Sequence, residues 1–334
     1  MRKNRKYPFL ILLTIVLACL ALFFAVKFFS ALADKLDPQP TAYEEFIKER
    51  ESREWQRTIK FNGKKYHVKS GLTTLMLLGV DNAGAEENAG KALGGYGRMD
   101  AIMLLLLNDK DKTITTLSIS RDTITSVDVY NPKGEFLYAG NMQITLQYGF
   151  GDSPRRCCYL AKKCVSSLLH GMYIDGVMSM TMDAIPTVVD IMGGLKLTFN
   201  EDYSYIDPTY TKGRTVTLSG TEAEHFVRYR DKDQTGSNED RVKRQIWVVE
   251  EMFTQLRSLG GATFVDEVMD KAGQYIESDI SAENLKKLSS YKITGDMLKL
   301  PGKTEEKDNY DQFIYDEEAL QQMIVDLFYE EVTD

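Results

Sequence analysis

Cysteine and histidine are scarce in this chain, whose 334 residues include four cysteines and three histidines. Cys157, Cys158 and Cys164 fall within a stretch whose apolar spacing predicts one helix over residues 153–171. In that helix Cys157 and Cys164 lie about 10.5 Å apart along the axis, which is too far for a disulfide. His170 alone does not supply the further ligands of a zinc site. We therefore expect buried free thiols, and neither a disulfide-stabilised domain nor a structural zinc site.

Internal repeats, glycine-serine linkers and low-complexity segments are also missing. The chain is 43% hydrophobic, which is enough for one large core or two modest ones, and no second change in composition marks another domain. Its formal net charge is -8. Nucleic-acid-binding domains more often spread basic charge widely, so we predict no nucleic-acid partner.

The N-terminus carries a long apolar stretch. Basic residues in the first six positions precede an uncharged run over residues 8–26, and a further apolar stretch, 28–33, follows Lys27. A helix of about 25 residues is roughly 37 Å long, enough to cross a hydrocarbon core of about 30 Å. Because basic flanks stay in the cytoplasm, we predict a cytoplasmic tail (1–7), one transmembrane anchor in the cell membrane (8–33) and an extracytoplasmic remainder.

Two other interpretations of this segment involve its removal. Ala31–Ala33 resembles a signal-peptidase site, but the apolar stretch before it exceeds the length of about 7 to 15 residues that is usual for a cleaved signal. Val16–Cys19 resembles a lipoprotein cleavage box, but apolar sequence continues past it. We therefore favour a retained anchor, followed by a charged linker or stalk (34–70) and one domain (71–334).

The domain begins with three apolar runs of strand length, at residues 72–81, 101–108 and 113–120. Near-continuous apolar runs are typical of strands covered on both faces, as in α/β folds. The alternation continues with a strand at 176–182 and another at 195–199. Helices are predicted around these strands and in the C-terminal part, at residues 153–171, 183–193, 220–231, 238–259, 262–276, 281–297 and 316–331.

Charged residues stand at the ends of the first three strands. Asp81 ends the first run, Arg98 and Asp100 precede the second, and Arg121 follows the third. Ligands of α/β sheets collect where strands end, so we expect these side chains to meet. A carboxylate pair beside arginines suggests a divalent cation, such as Mg²⁺, between Asp81 and Asp100.

A second group of arginines lies at residues 228–245. Arg241, Arg244 and Gln245 are spaced i, i+3 and i+4, which predicts one helical face near a helix N-terminus. Arginine fits phosphate oxygens with two parallel hydrogen bonds, and helix N-termini attract anions. The spacing is compatible either with a phosphate site or with an ion-pair network made with neighbouring Asp and Glu residues.

Four ordered motifs resemble the LytR-CpsA-Psr family of membrane-anchored cell-wall enzymes. They are GVD at 79–81, RxD at 98–100, SRD at 120–122, and LSGTEAEHFVRYR at 218–230 followed by DRxxRQ at 240–245. The likeness runs from about residue 72 to 259. It implies an α/β/α sandwich with a central mixed sheet, a hydrophobic tunnel for a polyprenyl chain and a charged rim for its pyrophosphate.

The resemblance also implies roles for single residues. Asp81 and Asp100 would hold Mg²⁺ (or Mn²⁺) and act in catalysis with Arg121. The expected pyrophosphate ligands are Arg98, Arg121, Arg228, Arg230, Arg241 and Gln245. The chain departs from the family pattern at Met99, Ala101, Ser120 and most clearly at Gln143, where relatives often have lysine. This departure affects the expected donor or acceptor preference more than the phosphate chemistry.

By resemblance, the chain moves a glycopolymer from undecaprenyl pyrophosphate onto peptidoglycan and leaves a phosphodiester bond. The carrier lipid, peptidoglycan and the bilayer are the expected partners. Two alternatives stay open. One is a non-catalytic polyprenyl-phosphate-binding scaffold or regulator of the cell envelope, and the other is a hydrolase of the pyrophosphate-linked glycan.

Overall fold

The computed structural model describes residues 58–81, 95–229, 237–256, 261–280, 285, 288–295, 297–307 and 310–332. The predicted anchor at 8–33, residues 34–57 of the predicted linker and Arg230 lie outside these ranges. No helix among the described residues has the length and apolar character needed to cross a membrane.

The strands of the described residues are, in chain order, β1 (Thr58–Phe61), β2 (Lys64–Val68), β3 (Leu72–Asp81), β4 (Arg98–Asn108), β5 (Thr113–Ile119), β6 (Ile124–Tyr130), β7 (Phe136–Gln143), β8 (Gly176–Thr181), β9 (Leu195–Thr198), β10 (Thr215–Leu218), β11 (Ile276–Ser278), β12 (Lys292–Ile293), β13 (Leu298–Lys299), β14 (Gly302–Lys307), β15 (Tyr310–Tyr315) and β16 (Tyr329–Glu331). The α-helices are α1 (Pro154–Leu168), α2 (Ile185–Ile191), α3 (Gly220–Arg228), α4 (Ser237–Leu256), α5 (Gly261–Ala272) and α6 (Glu317–Phe328).

The central sheet is mixed, as the sequence predicts. Its strand order is β11-β8-β3-β4-β5-β12, and β13 also pairs with β5. β4 runs antiparallel to both β3 and β5, whereas β8 runs parallel to β3. The end of β3, the start of β4 and the end of β5 therefore lie at the same edge of the sheet.

Strand β4 forms the centre of the core, with residues 99–107 all buried. Ile102 and Leu104 face a cluster that includes residues of α1 and α6. Met103 and Leu105 face the opposite cluster, which Val249 of α4 also contacts. Cover on both faces explains why the strand is almost wholly apolar, and it confirms the predicted placement of helices on a central sheet.

Helices α2, α3 and α4 form a separate apolar cluster with β9 and β10. Helix α3 begins with a capping box in which Ser219 and Glu222 bond each other's backbone N–H groups. Arg244 of α4 is buried, and its Nε donates to the carbonyl oxygen of Phe226 at 3.0 Å. The C-terminal end of α3 is thereby tied to α4.

The sequence prediction and the structure differ at the two ends of the folded unit and at the hairpin β6-β7. The predicted helix 281–297 is wrong at residues 292–293, where β12 pairs with β5. Three hairpins, β1-β2, β6-β7 and β14-β15, go beyond the prediction. Their strands mix polar and apolar residues, so they lack the continuous apolar runs of the central strands. β2 also pairs with β16, so residues 58–68 of the predicted linker are part of the fold.

The three cysteines of α1 are buried free thiols, as expected. Burial raises the pKa of Cys158 to about 11, which favours the protonated, unreactive form at neutral pH.

Candidate active site

The predicted site residues of the first three strands meet at one edge of the sheet. Asp81, the last residue of β3, pairs with Arg98, the first residue of β4. Arg121 follows the end of β5, the neighbour of β4 on the other side. The backbone of Arg98 is at this edge, but its side chain is exposed. The sequence therefore predicted the location of the edge correctly.

A β-bulge places Asp100 in this edge. Val80 opposes Met99 and Gly79 opposes Ala101, so Asp100 is an extra residue on β4. Bulges of this kind redirect a side chain and are frequent beside active sites. As a result Asp100 is only 2% exposed, although it carries a carboxylate at the end of a core strand.

Asp100 is held by a charge pair and a hydrogen bond. Nη1 of Arg121 lies 2.6 Å from Oδ1 of Asp100, and the hydroxyl of Thr145 donates to the same oxygen at 3.4 Å. Burial raises the pKa of Asp100, and the charge of Arg121 opposes that rise. The charge of Asp81 raises this pKa further and that of Arg241 lowers it. The four charged side chains are thus within electrostatic reach of one another, and we call them the charged cluster.

Neighbouring loops fix Arg121 in this cluster. Its Nε is 3.6 Å from Oδ1 of Asp122, and its carbonyl oxygen accepts a hydrogen bond from the backbone of Thr145 at 3.1 Å. Gln143 donates to Oδ1 of Asp122 at 2.9 Å and to the carbonyl oxygen of Asp311 at 2.7 Å. Gln143, the position that departs from the family pattern, therefore connects the Arg121 loop to the β14-β15 hairpin.

One face of α4 lies along the end of β3. Nη1 of Arg241 is 3.3 Å from Oδ2 of Asp81, and Cγ2 of Val249 is 3.8 Å from the position that a Cβ on Gly79 would take. Gln245 lies between them on the same face and is 1% exposed. It donates to the carbonyl oxygen of Val227 at 3.4 Å, and its Oε1 has no hydrogen-bond partner in the part of the chain that is described.

The remaining predicted ligands lie elsewhere or have other contacts. Arg228 forms ion pairs with Asp183 and with Glu224, the latter at 3.0 Å. Asp183 comes two residues after β8, whose last residue lies beside Val80 of β3, so Arg228 is near the same edge. Arg230 lies outside the described residues. Arg244 was not among the expected ligands, and it points to α3, as described above.

Three polar contacts of the site were not assigned from the sequence. Asp122 is part of the SRD motif, but the motif predicted no role for this residue. Asp183 directly follows a predicted strand, which is only a weak indication of a functional residue. Thr145 has no sequence signal, because it belongs to a short 3-10 helix, Ile144–Phe150, that packs against β4 and β6.

Asp81 and Asp100 are the candidate ligands for the predicted magnesium ion. They interact electrostatically, and Asp100 is buried. No cluster of three or more His, Cys, Asp or Glu side chains suited to a metal occurs within the described ranges. Mg²⁺ at phosphate sites often uses only one or two carboxylates, and substrate phosphates and water complete its shell. Two carboxylates are therefore sufficient for the predicted ion.

An apolar strip begins beneath the charged cluster, between the sheet and α4. Leu77, Met178, Met180 and Val249 are each partly exposed, although three of them belong to central strands. Leu77 is next to Met178 in the sheet, and Met180 is next to Gly79. Glycine at this position lets α4 approach the sheet closely, since a Cβ on Gly79 would lie 3.8 Å from Cγ2 of Val249.

Comparisons with known proteins agree with this architecture. The model of the LytR_cpsA_psr family matches residues 40–328. The polyisoprenyl-teichoic acid–peptidoglycan teichoic acid transferase TagT of Bacillus subtilis is 28% identical over 239 residues, which cover 66% of this chain and 67% of TagT. The transferase TagU of Enterococcus faecalis, of the same description, is 24% identical over 216 residues. This match covers 65% of the chain and 64% of TagU, a little under two thirds of that relative's length.

A solved structure shows the same fold. The crystal structure of B. subtilis TagV superposes with a TM-score of 0.56 at 21% identity, and the match covers 78% of this chain and 96% of TagV.

Proposed function

Because this chain belongs to the LytR_cpsA_psr family, we propose that it is a phosphotransferase that moves a glycopolymer from a polyprenyl pyrophosphate carrier onto peptidoglycan. The family match confirms the resemblance seen in the four sequence motifs. Two relatives are named as transferases of teichoic acid from a polyisoprenyl carrier to peptidoglycan, which supports this class of donor and acceptor. The observation that carries the proposal is the charged cluster at the edge of the sheet.

The charged cluster has the groups that a pyrophosphate needs. Arg121 and Arg241 present guanidinium groups, which bind phosphate oxygens through charge-assisted, paired hydrogen bonds. Asp81 and Asp100 would hold Mg²⁺ or Mn²⁺, which would supply positive charge to offset the negative charge of the phosphates. The buried Oε1 of Gln245, on the next turn of the same helix face as Arg241, can accept a hydrogen bond from a hydroxyl or a water molecule, but not from a deprotonated phosphate oxygen.

The proposed reaction is a phosphoryl transfer. A sugar hydroxyl of peptidoglycan attacks the phosphorus that carries the glycopolymer, and a new P–O bond forms. The P–O bond to polyprenyl phosphate breaks, and the hydroxyl proton passes to a carboxylate of the cluster. Burial raises the pKa of Asp100, which makes it a stronger base than an ordinary carboxylate. Arg121 contacts Asp100 and is placed to stabilise charge on the phosphoryl oxygens.

The apolar strip supports a lipid-linked donor. A polyprenyl chain attached to a pyrophosphate in the charged cluster would find Leu77, Met178, Met180 and Val249 directly beneath it. Methionine adapts well to a flexible apolar ligand. Because such a donor resides in the bilayer, we place the protein in the cell membrane, with residues 8–33 as its single anchor and the folded unit outside the cell.

Product analysis tests this function. The purified chain in detergent receives a lipid-linked glycan, peptidoglycan fragments and Mg²⁺, and mass spectrometry follows the glycan. We expect a phosphodiester-linked product. Arg121→Ala and Asp100→Ala should each slow its formation by about 10²- to 10³-fold. Tyr310→Ala, at an exposed position on β15, is the control and should not slow it.

Two results would contradict the proposal. Release of free glycan phosphate alone would identify a hydrolase. No reaction, with lipid binding unchanged in the Asp100→Ala protein, would identify a binding scaffold.

A further inference from the structure

A row of aromatic rings leads from the interior to the surface beside α3. The rings of Phe199, Phe226 and Tyr203 belong to a buried apolar cluster. The ring of Tyr205 lies 6.2 Å from that of Tyr203 and is 48% exposed. Two more rings continue outward, and the ring-to-ring distances are 5.8 Å from Tyr205 to Tyr229 and 5.9 Å from Tyr229 to His225. We call the three outer rings, Tyr205, Tyr229 and His225, the aromatic row.

The aromatic row is fixed in position by a buried cation. Nη1 of Arg244 is 3.2 Å from the hydroxyl of Tyr205, and Nη2 donates to the carbonyl oxygen of Tyr229. The third bond of this guanidinium, to Phe226, anchors it in α3. Tyr205 is therefore half exposed and yet held at its hydroxyl. A ligand that packs on its ring loses little affinity to ordering of the side chain.

Two arginines link the aromatic row to the elements that carry the charged cluster. Arg244 lies one helical turn from Arg241, which contacts Asp81. Arg228 directly precedes Tyr229, and its partner Asp183 follows β8 at the same edge of the sheet. Arg228, one of the expected pyrophosphate ligands, thus connects α3 next to the exposed rings with that edge.

We propose that the aromatic row binds the sugar residues of the donor that lie next to its pyrophosphate. This inference rests on the proposed function, because it assumes a phosphate in the charged cluster. A pyranose has an apolar C–H face that packs on aromatic rings, and hydroxyls at its edge. The ion-paired Arg228, Asp183 and Glu224 border the row and offer donors and acceptors to such hydroxyls.

The donor is favoured over the acceptor by its covalent structure. Its first sugar is bonded to the phosphate, so the following residues must lie close to the arginines. The acceptor needs only one hydroxyl at the phosphorus and has no such tether.

Two probes separate this inference from the function on which it rests. Calorimetry on the full chain in detergent with Mg²⁺ compares farnesyl pyrophosphate with farnesyl pyrophosphate carrying two hexosamine residues. We expect the sugar-bearing probe to bind about five- to ten-fold more tightly. Tyr205→Ala should remove this gain and leave the affinity for the bare probe unchanged, and His225→Ala should reduce the gain. Tyr205→Phe keeps the ring and should keep most of the gain.

The controls use other parts of the surface. Tyr310 is 69% exposed on β15, and Tyr310→Ala should change neither affinity. Arg121→Ala should weaken both probes alike, because it acts on the pyrophosphate. Thermal unfolding of each variant shows whether the fold is retained.

Three outcomes overturn the inference. The first is an equal affinity of the wild-type protein for both probes, which leaves the proposed function standing. The second is an unreduced preference for the sugar-bearing probe over the bare probe in both the Tyr205→Ala and the His225→Ala proteins. The third is Tyr205-dependent binding of a free peptidoglycan glycan without any gain for the sugar-bearing donor, which would assign the row to the acceptor. If the wild-type protein binds neither probe, the proposed function fails as well.

Discussion

Removal of the Arg121 guanidinium should make the stability of the fold depend on pH through Asp100. Asp100 is 2% exposed, and burial is the main reason that its pKa is raised. The charge of Arg121 is the strongest influence in the opposite direction. Arg121→Ala should therefore raise the pKa of Asp100 in the folded protein further above its value in the unfolded chain.

The sign of the effect follows from proton linkage. A carboxyl whose folded pKa is raised contributes stability below its unfolded pKa, which is about 3.9, and this contribution is lost as pH rises through the folded pKa. At a pH above the folded pKa of Asp100, each further unit by which this pKa is raised lowers the free energy of unfolding by about 1.4 kcal/mol. Loss of one partner from a buried ion pair costs about 3–5 kcal/mol. We expect Arg121→Ala to lose about 3 kcal/mol at neutral pH and much less near the unfolded pKa of Asp100.

Urea unfolding measures this difference. Wild-type, Arg121→Ala, Asp100→Asn and double-variant proteins are compared in EDTA at about pH 4.5 and about pH 7.5 by tryptophan fluorescence. Asn cannot ionise, so the double variant should lack the pH-dependent part of the loss. An equal loss from Arg121→Ala at both pH values, or the same pH dependence in the double variant, would refute the assignment of this charge pair.

Three other predictions concern the apolar strip, the thiols and a buried ion pair. Leu77 is partly exposed in the strip, so Leu77→Trp should fill the strip and weaken a long-chain prenyl pyrophosphate about ten-fold, with inorganic pyrophosphate unaffected. An equal effect on both by calorimetry would contradict this. Burial raises the pKa of Cys158 to about 11, so roughly one thiol in a thousand is ionised near pH 8. Peptide mapping should therefore find iodoacetamide on Cys158 only after unfolding. Rapid labelling of the folded protein would show that the thiol is accessible. Nζ of Lys162 is buried and lies 2.6 Å from Oδ2 of Asp279, so Lys162→Ala should lower the free energy of unfolding in urea by about 3 kcal/mol. A loss below about 1 kcal/mol would show that the pair contributes little.

The core strands and the edge that carries the site could be predicted from the sequence. β3, β4 and β5 each carry a long apolar run because both faces of the sheet are covered. The antiparallel pairing of β4 with β3 and with β5 then brings Asp81, Arg98 and Arg121 to one edge.

The position of Asp100 could not be predicted, because it depends on register. A bulge adds one residue to β4 opposite Gly79 and Val80. Nothing in the letters RMDAI distinguishes a strand with this bulge from one without it. The buried, charge-paired state of Asp100 follows from the bulge and from Thr145, which comes from a distant segment.

Arg241 and Arg244 show a second limit of sequence reasoning. Their i, i+3 spacing places both on one broad face of α4. Tertiary packing separates their roles, since Arg241 contacts Asp81 and Arg244 is buried against α3. The sequence shows both arginines, but it does not show that the guanidinium of Arg244 binds a backbone carbonyl group of α3.

The central claim is that the charged cluster binds a prenyl-linked phosphate, and lipid that co-purifies with the protein tests it most directly. Mass spectrometry of the detergent-extracted full chain should find a polyprenyl phosphate or pyrophosphate on the wild-type protein and on Tyr310→Ala. The same lipid should be depleted from a folded Arg121→Ala/Arg241→Ala double variant. Equal amounts on the double variant, or no prenyl lipid on any of the three proteins, would contradict the account.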